Sequence, residues 1–177
     1  MIKNAMVLAA GLGTRMRPIT DTIPKPLVRI AGKPMIDYAL DSLVEAGVET
    51  VVVNVHHHAD QMIAHLGARP DVDILISDER SQLMNSGGGL AKGLKLLEPG
   101  PVFVMNADLF WIGEMPNAVS NLRRLAHFFD PTRMDMALLC VDMDRTTGHN
   151  GKKDFNLADD GKLTRYRDRD PFPVVYA

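Results

Sequence analysis

Cysteine and tryptophan each occur once in these 177 residues. A single cysteine excludes an intrachain disulfide framework and a cysteine-rich zinc site, and Cys140 sits in the apolar run Met136–Val141, which reads as a buried strand. An excess of one charge is missing too. The 20 Lys and Arg against 22 Asp and Glu leave a net charge of -2 and a pI near 6.3. Without a global positive field, a nucleic-acid partner is disfavoured. An anionic substrate must instead be held by a few placed cations and backbone N–H groups. No long hydrophobic run occurs: the apolar stretch that opens the chain is too short to cross a bilayer, and glycines and charges follow it at once, unlike a signal peptide. The expected setting is the cytoplasm, with no membrane partner. At 46% hydrophobic and 24% charged residues, the composition is that of an ordinary globular protein, and the length suits one domain with a sizeable core.

Short β-rich runs alternate with helical patterns. Asn4–Ala10 reads as a first strand leading into a glycine loop, and Pro34–Glu45 as a helix whose Ile36, Ala39, Leu40, Leu43 and Val44 share one face. The β-branched Thr50–Val55 reads as a parallel strand. Further elements are expected at Asp60–Leu66 (helix), Val72–Ile76 (strand), Gly88–Leu97 (helix), Pro101–Met105 (strand), Met115–Phe129 (helix) and Met136–Val141 (strand). This alternation predicts an α/β fold, a doubly wound and mostly parallel sheet with helices on both faces. Phe155–Leu157 and Leu163–Tyr166, around an Asp/Gly turn, predict a C-terminal β-hairpin, and Phe172–Ala177 opens another strand.

The sharpest motif follows the first strand: Leu8-Ala9-Ala10-Gly11-Leu12-Gly13-Thr14-Arg15-Met16-Arg17, then Pro24-Lys25-Pro26-Leu27. Glycines let backbone N–H groups approach phosphates closely. Arginine grips phosphate oxygens as a planar fork, and lysine acts as a point charge aimed here by a proline on either side. The Gly-Lys-Ser/Thr of a Walker loop is absent, and Met16 stands where the dinucleotide fingerprint needs its third glycine. A second motif, Asn106-Ala107-Asp108, ends the strand at Pro101–Met105. Asp108 suits Mg²⁺, which prefers oxygen ligands and shared phosphates, or else it caps the next segment. A third is Asn85–Leu94, where Gly87-Gly88-Gly89 open a helix and leave N–H groups and space for a flat base, or serve a loop needing positive φ. A fourth is the Gly148–Phe155 loop. His56, His57, His58 and His65 carry metal-binding atoms, but consecutive side chains on a regular element point apart and no Cys or carboxylate spacing supports a site, so none is expected.

The Leu8–Arg17 and Pro24–Leu27 motifs resemble the signature of the sugar-1-phosphate nucleotidyltransferase family, and the resemblance runs from Met1 to near the chain end. It implies that Leu8, Ala10, Gly11, Gly13 and Thr14 bind the nucleotide, that Arg15 stabilises charge on the α-phosphate and pyrophosphate, and that Lys25 contacts a phosphate. It implies further that Gly87 and Gly88 pack on the base, that Asn106, Gly151 and Asp154 meet the sugar, and that Asp108 holds Mg²⁺. The triple glycine and the Gly148–Phe155 loop resemble the branch that transfers UMP from UTP to N-acetylmuramate 1-phosphate in peptidoglycan recycling. The alternatives are thymidylyl or guanylyl transfer to glucose or mannose 1-phosphate, or a non-catalytic nucleotide-binding domain. In this chemistry the sugar phosphate is itself the nucleophile, so no Ser-His-Asp or Cys-His constellation is needed, and none is present. Asp168-Arg169 stands where the wider family has Glu-Lys, but it lies in a charged run that reads as solvated. The family's second metal aspartate, in a Trp-x-Asp-x-Gly-Thr segment, has no counterpart, since the single tryptophan is Trp111. The expectation is therefore one nucleotidyltransferase domain truncated at its C-terminus, with a strand edge open and weak turnover.

Overall fold

The computed structural model describes residues 1–114, 118–148 and 152–176. They divide into two compact units, Met1–Ala126 and His127–Ala177.

In the first unit, Asn4–Leu8 forms β1, Thr50–Val55 β2, Asp73–Asp78 β3 and Val102–Asn106 β4. All pair in parallel, in the order β3-β2-β1-β4. Between them run the helices α1 (Met35–Glu45), α2 (Ala59–Leu66) and α3 (Ser86–Gly93). Successive strand residues point to opposite faces. Ala5, Val7, Val51 and Val53 therefore pack with Ile36, Leu40 and Leu43 of α1 and Met62 and Leu66 of α2 in one buried cluster. Met6 and Val52 face the other way, toward Gly93 of α3. A Cβ there would come within 2.5 Å of the Met6 sulfur. Glycine at 93 thus lets α3 lie flat on the sheet, and the sheet is covered on both faces as the alternation of elements predicts.

The strand order decides where the site can form. From β1 the chain winds outward to β2 and β3, then crosses back to place β4 on the other side of β1. In such sheets ligands bind beyond the carboxyl ends, where the winding reverses. Here Leu8 pairs opposite Asn106, and the Ala107 N–H donates to the Leu8 carbonyl at 3.0 Å. The two motifs that end β1 and β4 consequently leave the sheet side by side.

Arg69, just past α2, ties the outer helices together. Its guanidinium lies 3.4 Å from Asp37, 2.8 Å from Asp41 and 2.6 Å from Asp71. The hydrogen bond from Arg69 holds the Asp71 carboxyl below the usual range. A lowered carboxyl pKa contributes stability above its unfolded value of about 4 and loses it as pH falls through the folded one. Arg69→Ala is expected to destabilise the chain by about 1 kcal/mol at neutral pH and by less toward pH 3, read by thermal unfolding across that range.

The second unit is antiparallel. Cys140–Asp142 forms β5, Phe155–Leu157 β6, Leu163–Arg165 β7 and Pro173–Tyr176 β8, in the order β5-β8-β6-β7. The expected hairpin is β6–β7, with Gly161 at φ 82° in its turn. The terminal strand β8 is not an open edge, because it pairs with β5 on one side and β6 on the other.

Two element assignments need correction. The apolar run at Met136–Val141 is not a buried strand of the parallel sheet: only Cys140–Asp142 is in a strand, an antiparallel one, and Met136 is 72% exposed. The helix expected over Met115–Phe129 is α4 at Asn121–Phe128, with residues 118–120 non-helical and 115–117 outside the described residues.

Candidate active site

Beyond Leu8 the chain passes through buried Ala9 and Ala10 and emerges into the glycine loop. Its two glycines serve different ends. Gly13 has φ 65°, and a Cβ there would lie 2.8 Å from Thr20 Cγ2 and 3.0 Å from Lys25 Cβ. The Thr20 hydroxyl donates to the Gly13 carbonyl at 2.8 Å. Gly13 is thus the seam that folds the loop back onto the arm carrying Lys25. At Gly11, by contrast, an added Cβ meets nothing within 4 Å, so what a side chain would obstruct there is the cavity itself. Gly13→Ala is expected to cost about 1–3 kcal/mol of stability. Gly11→Ala is expected to leave the melting temperature unchanged and weaken nucleotide binding. Paired unfolding and binding measurements on the two variants check this contrast.

The arm between Arg17 and Lys25 is held from the β2–α2 turn. His57 Nε2 bonds the Thr20 carbonyl at 3.0 Å, His58 Nε2 the Asp21 carbonyl at 3.1 Å, and the Gln61 amide the Thr22 carbonyl at 2.9 Å. His56 Nδ1 bonds the Glu79 carbonyl at 2.8 Å. A carbonyl only accepts, so each of these ring nitrogens is the donor. The three adjacent histidines fasten backbone, and among the described residues no cluster of three metal-ligating side chains exists.

Lys25 and Asp108 meet as an ion pair, with 22% and 37% of their side chains exposed. They stand at a cavity of about 550 Å³ lined by the loop from Leu8 to Met16, by Lys25 and Asn54, by Leu83–Ser86 and by Asn106–Asp108. Of the residues singled out in the sequence, the structure brings Leu8, Ala10, Gly11, Gly13, Thr14, Arg15, Lys25, Asn106 and Asp108 to this one cavity. Arg17 turns away to pair with Asp21 at 3.2 Å. Gly87 and Gly88 lie just past the lining, where Asn85 and Ser86 stand. Asn85 caps α3 by accepting the Gly88 N–H at 2.7 Å. None of Gly87, Gly88 and Gly89 has a positive φ, so backbone conformation does not explain them.

Asp154 belongs to the second unit, where its N–H donates to the Val174 carbonyl and its own carbonyl accepts from Tyr166. Gly151 lies outside the described residues. Asp168 and Arg169 are exposed, as the solvated reading has it. Sequence reasoning missed Asn54, Leu83 and Met84, none of which carried a signal, whereas Asn85 and Ser86 open the triple-glycine segment that the sequence singled out.

A cavity lined by an arginine, a lysine and a carboxylate suits a polyphosphate and its cation. Set at the switch point of a doubly wound sheet, it places the molecule among nucleotide-binding α/β proteins. More narrowly, the chain belongs to the nucleotidyl transferase family, whose model matches residues 4–137. It is 49% identical to the N-acetylmuramate alpha-1-phosphate uridylyltransferase of Caulobacter vibrioides over 98% of this chain and 72% of that protein. It is 34% identical to the 2-aminoethylphosphonate cytidylyltransferase of Lancefieldella rimae over 92% of this chain and 59% of that protein. A crystal structure of UDP-glucose pyrophosphorylase complexed with UDP-glucose superposes with a TM-score of 0.62 and 26% identity, over 75% of this chain and 55% of that one. Among the described residues no helix is long and apolar enough to cross a membrane.

Proposed function

We propose that the chain transfers UMP from UTP to N-acetylmuramate 1-phosphate with release of pyrophosphate. The observation that carries the reaction class is the convergence of Gly11, Arg15, Lys25 and Asp108 on one cavity. The choice of base and sugar is supported by the 49% identity to the Caulobacter uridylyltransferase. A cytoplasmic setting, where nucleoside triphosphates are held, fits this reading.

The sugar phosphate is already anionic and needs no base to activate it. Its oxygen attacks the α-phosphorus in line, the bond to the β-phosphate oxygen breaks, and pyrophosphate leaves with that electron pair. The work left to the chain is positioning and charge neutralisation. The Gly11–Arg15 loop presents backbone N–H groups to the phosphates, Arg15 stabilises charge that builds toward the leaving pyrophosphate, and Lys25 binds a phosphate oxygen. Asn106, at the end of β4, is the assigned sugar contact. Mg²⁺ is the proposed cofactor and supplies neutralisation of phosphate charge. The donor set fits, because one half-exposed carboxylate with room for phosphate and water is how this ion is commonly held. Lys25 and Asp108 neutralise each other at the cavity, and an incoming polyphosphate with its cation offers each a partner of opposite sign.

The test is pyrophosphate release with N-acetylmuramate 1-phosphate and each of UTP, dTTP, GTP, CTP and ATP. UTP is expected to give the highest kcat/KM. A preference for GTP or ATP would contradict the uridylyl assignment, and a preference for CTP would move the chain toward the Lancefieldella relative.

A further inference from the structure

Glu79 follows β3 in the stretch Asp78-Glu79-Arg80, which looks like a solvated charged turn, yet it is 0% exposed. Among the described residues no cation pairs with it. Burying a carboxyl group away from water is unfavourable unless hydrogen bonds replace the lost solvent. Here they do: Oε1 accepts from Asn54 Nδ2 at 2.8 Å and Oε2 from the Met84 N–H at 3.0 Å. Asn54 in turn accepts the Ala9 N–H through Oδ1 at 2.7 Å. A backbone N–H can only donate, so the Asn54 oxygen faces Ala9 and its amide NH₂ faces Glu79. The chain of bonds runs Ala9, Asn54, Glu79, Met84, and each link has one direction.

Its two ends are the two walls of the cavity. Ala9 is where the glycine loop leaves β1, and Met84 opens the segment that leads through Asn85 and Ser86 into α3. Gly89 rests on the same pair. A Cβ there would lie 2.8 Å from both Asn54 Nδ2 and Glu79 Oε1, so α3 lays bare backbone against them. That accounts for the third glycine of the triplet by packing.

We propose that Glu79 is a positioning residue of the nucleotide cavity, which through Asn54 and Met84 fixes the span between the glycine loop and the segment opening α3. The inference rests on the proposed function, since it concerns the walls of the same cavity.

The bond polarity offers a direct test by exchange. In Glu79→Gln an amide NH₂ meets either the Asn54 amide NH₂ or the Met84 N–H, and in Asn54→Asp two carboxylates meet. In the double variant every bond re-forms: Asp at 54 takes the Ala9 N–H and the Gln NH₂, and the Gln oxygen takes the Met84 N–H. The Kd for UTP is measured by calorimetry beside kcat, both KM values and the melting temperature. Each single variant is expected to raise the Kd and KM for UTP about tenfold or more, while kcat and the KM for the sugar phosphate move less than about threefold. The exchange variant is expected to return to within about threefold of wild type. Single variants that melt lower yet bind UTP like wild type would overturn the proposal, leaving Glu79 a core residue only. So would an exchange variant that folds but binds as weakly as the singles. Should the singles fail to fold, the exchange variant decides alone, since it must both fold and bind UTP. If the wild-type chain binds none of the five nucleotides, the proposed function fails first and the nucleotide role of Glu79 with it.

Discussion

Arg15→Ala and Lys25→Ala are each expected to lower kcat/KM by on the order of a hundredfold, as removal of a preorganised charge from a developing one commonly does. Neither should disturb folding. Arg15 is exposed on the loop, with no core contact to lose. Lys25 has its Cβ packed against the Gly13 turn, and alanine keeps that atom. What Lys25→Ala removes is the ammonium beside Asp108, and at 37% exposure the carboxylate left behind is reached by water. Steady-state kinetics with thermal unfolding on both variants checks the separation. A variant that unfolds, or one that turns over at the wild-type rate, contradicts the catalytic role of that residue.

Asp108→Asn is expected to raise the Mg²⁺ concentration needed for half-maximal UTP binding by about tenfold or more, because changes even one shell outside a metal cost that much. The substitution keeps the shape of the side chain and removes its charge, so the melting temperature should barely move. Calorimetric titration of UTP at a series of Mg²⁺ concentrations reads the shift. An unchanged Mg²⁺ dependence would leave Asp108 as a partner for Lys25 and nothing more.

The residues behind these two predictions were legible because their signals are local. The run Thr50–Val55 is written in β-branched residues and forms β2 with those bounds. The glycine loop and the proline-framed Lys25 stand out in any reading of the chain. Strand order is a different kind of information. Nothing near Leu8 in sequence says that Asn106 will lie opposite it, yet that pairing carries Asp108 to Lys25. Asn54 was hidden for a related reason: one polar residue among valines reads as noise until its amide is found between Ala9 and Glu79. Glu79 gave no sign of burial, because charge usually marks solvent, and here two N–H donors take the place of water. At Met136 the error ran the other way. An apolar run supplies strand propensity but does not decide burial, which depends on what packs over it.

The most direct test of nucleotidyl transfer follows the phosphorus atoms. The chain is incubated with UTP, Mg²⁺ and N-acetylmuramate 1-phosphate and observed by ³¹P NMR. A uridine diphosphate sugar and pyrophosphate are expected to appear in equal amounts, at whatever rate, and neither is expected when the sugar phosphate is withheld. A folded chain that binds UTP and leaves both substrates unchanged, or that releases pyrophosphate without the sugar phosphate, would contradict that transfer.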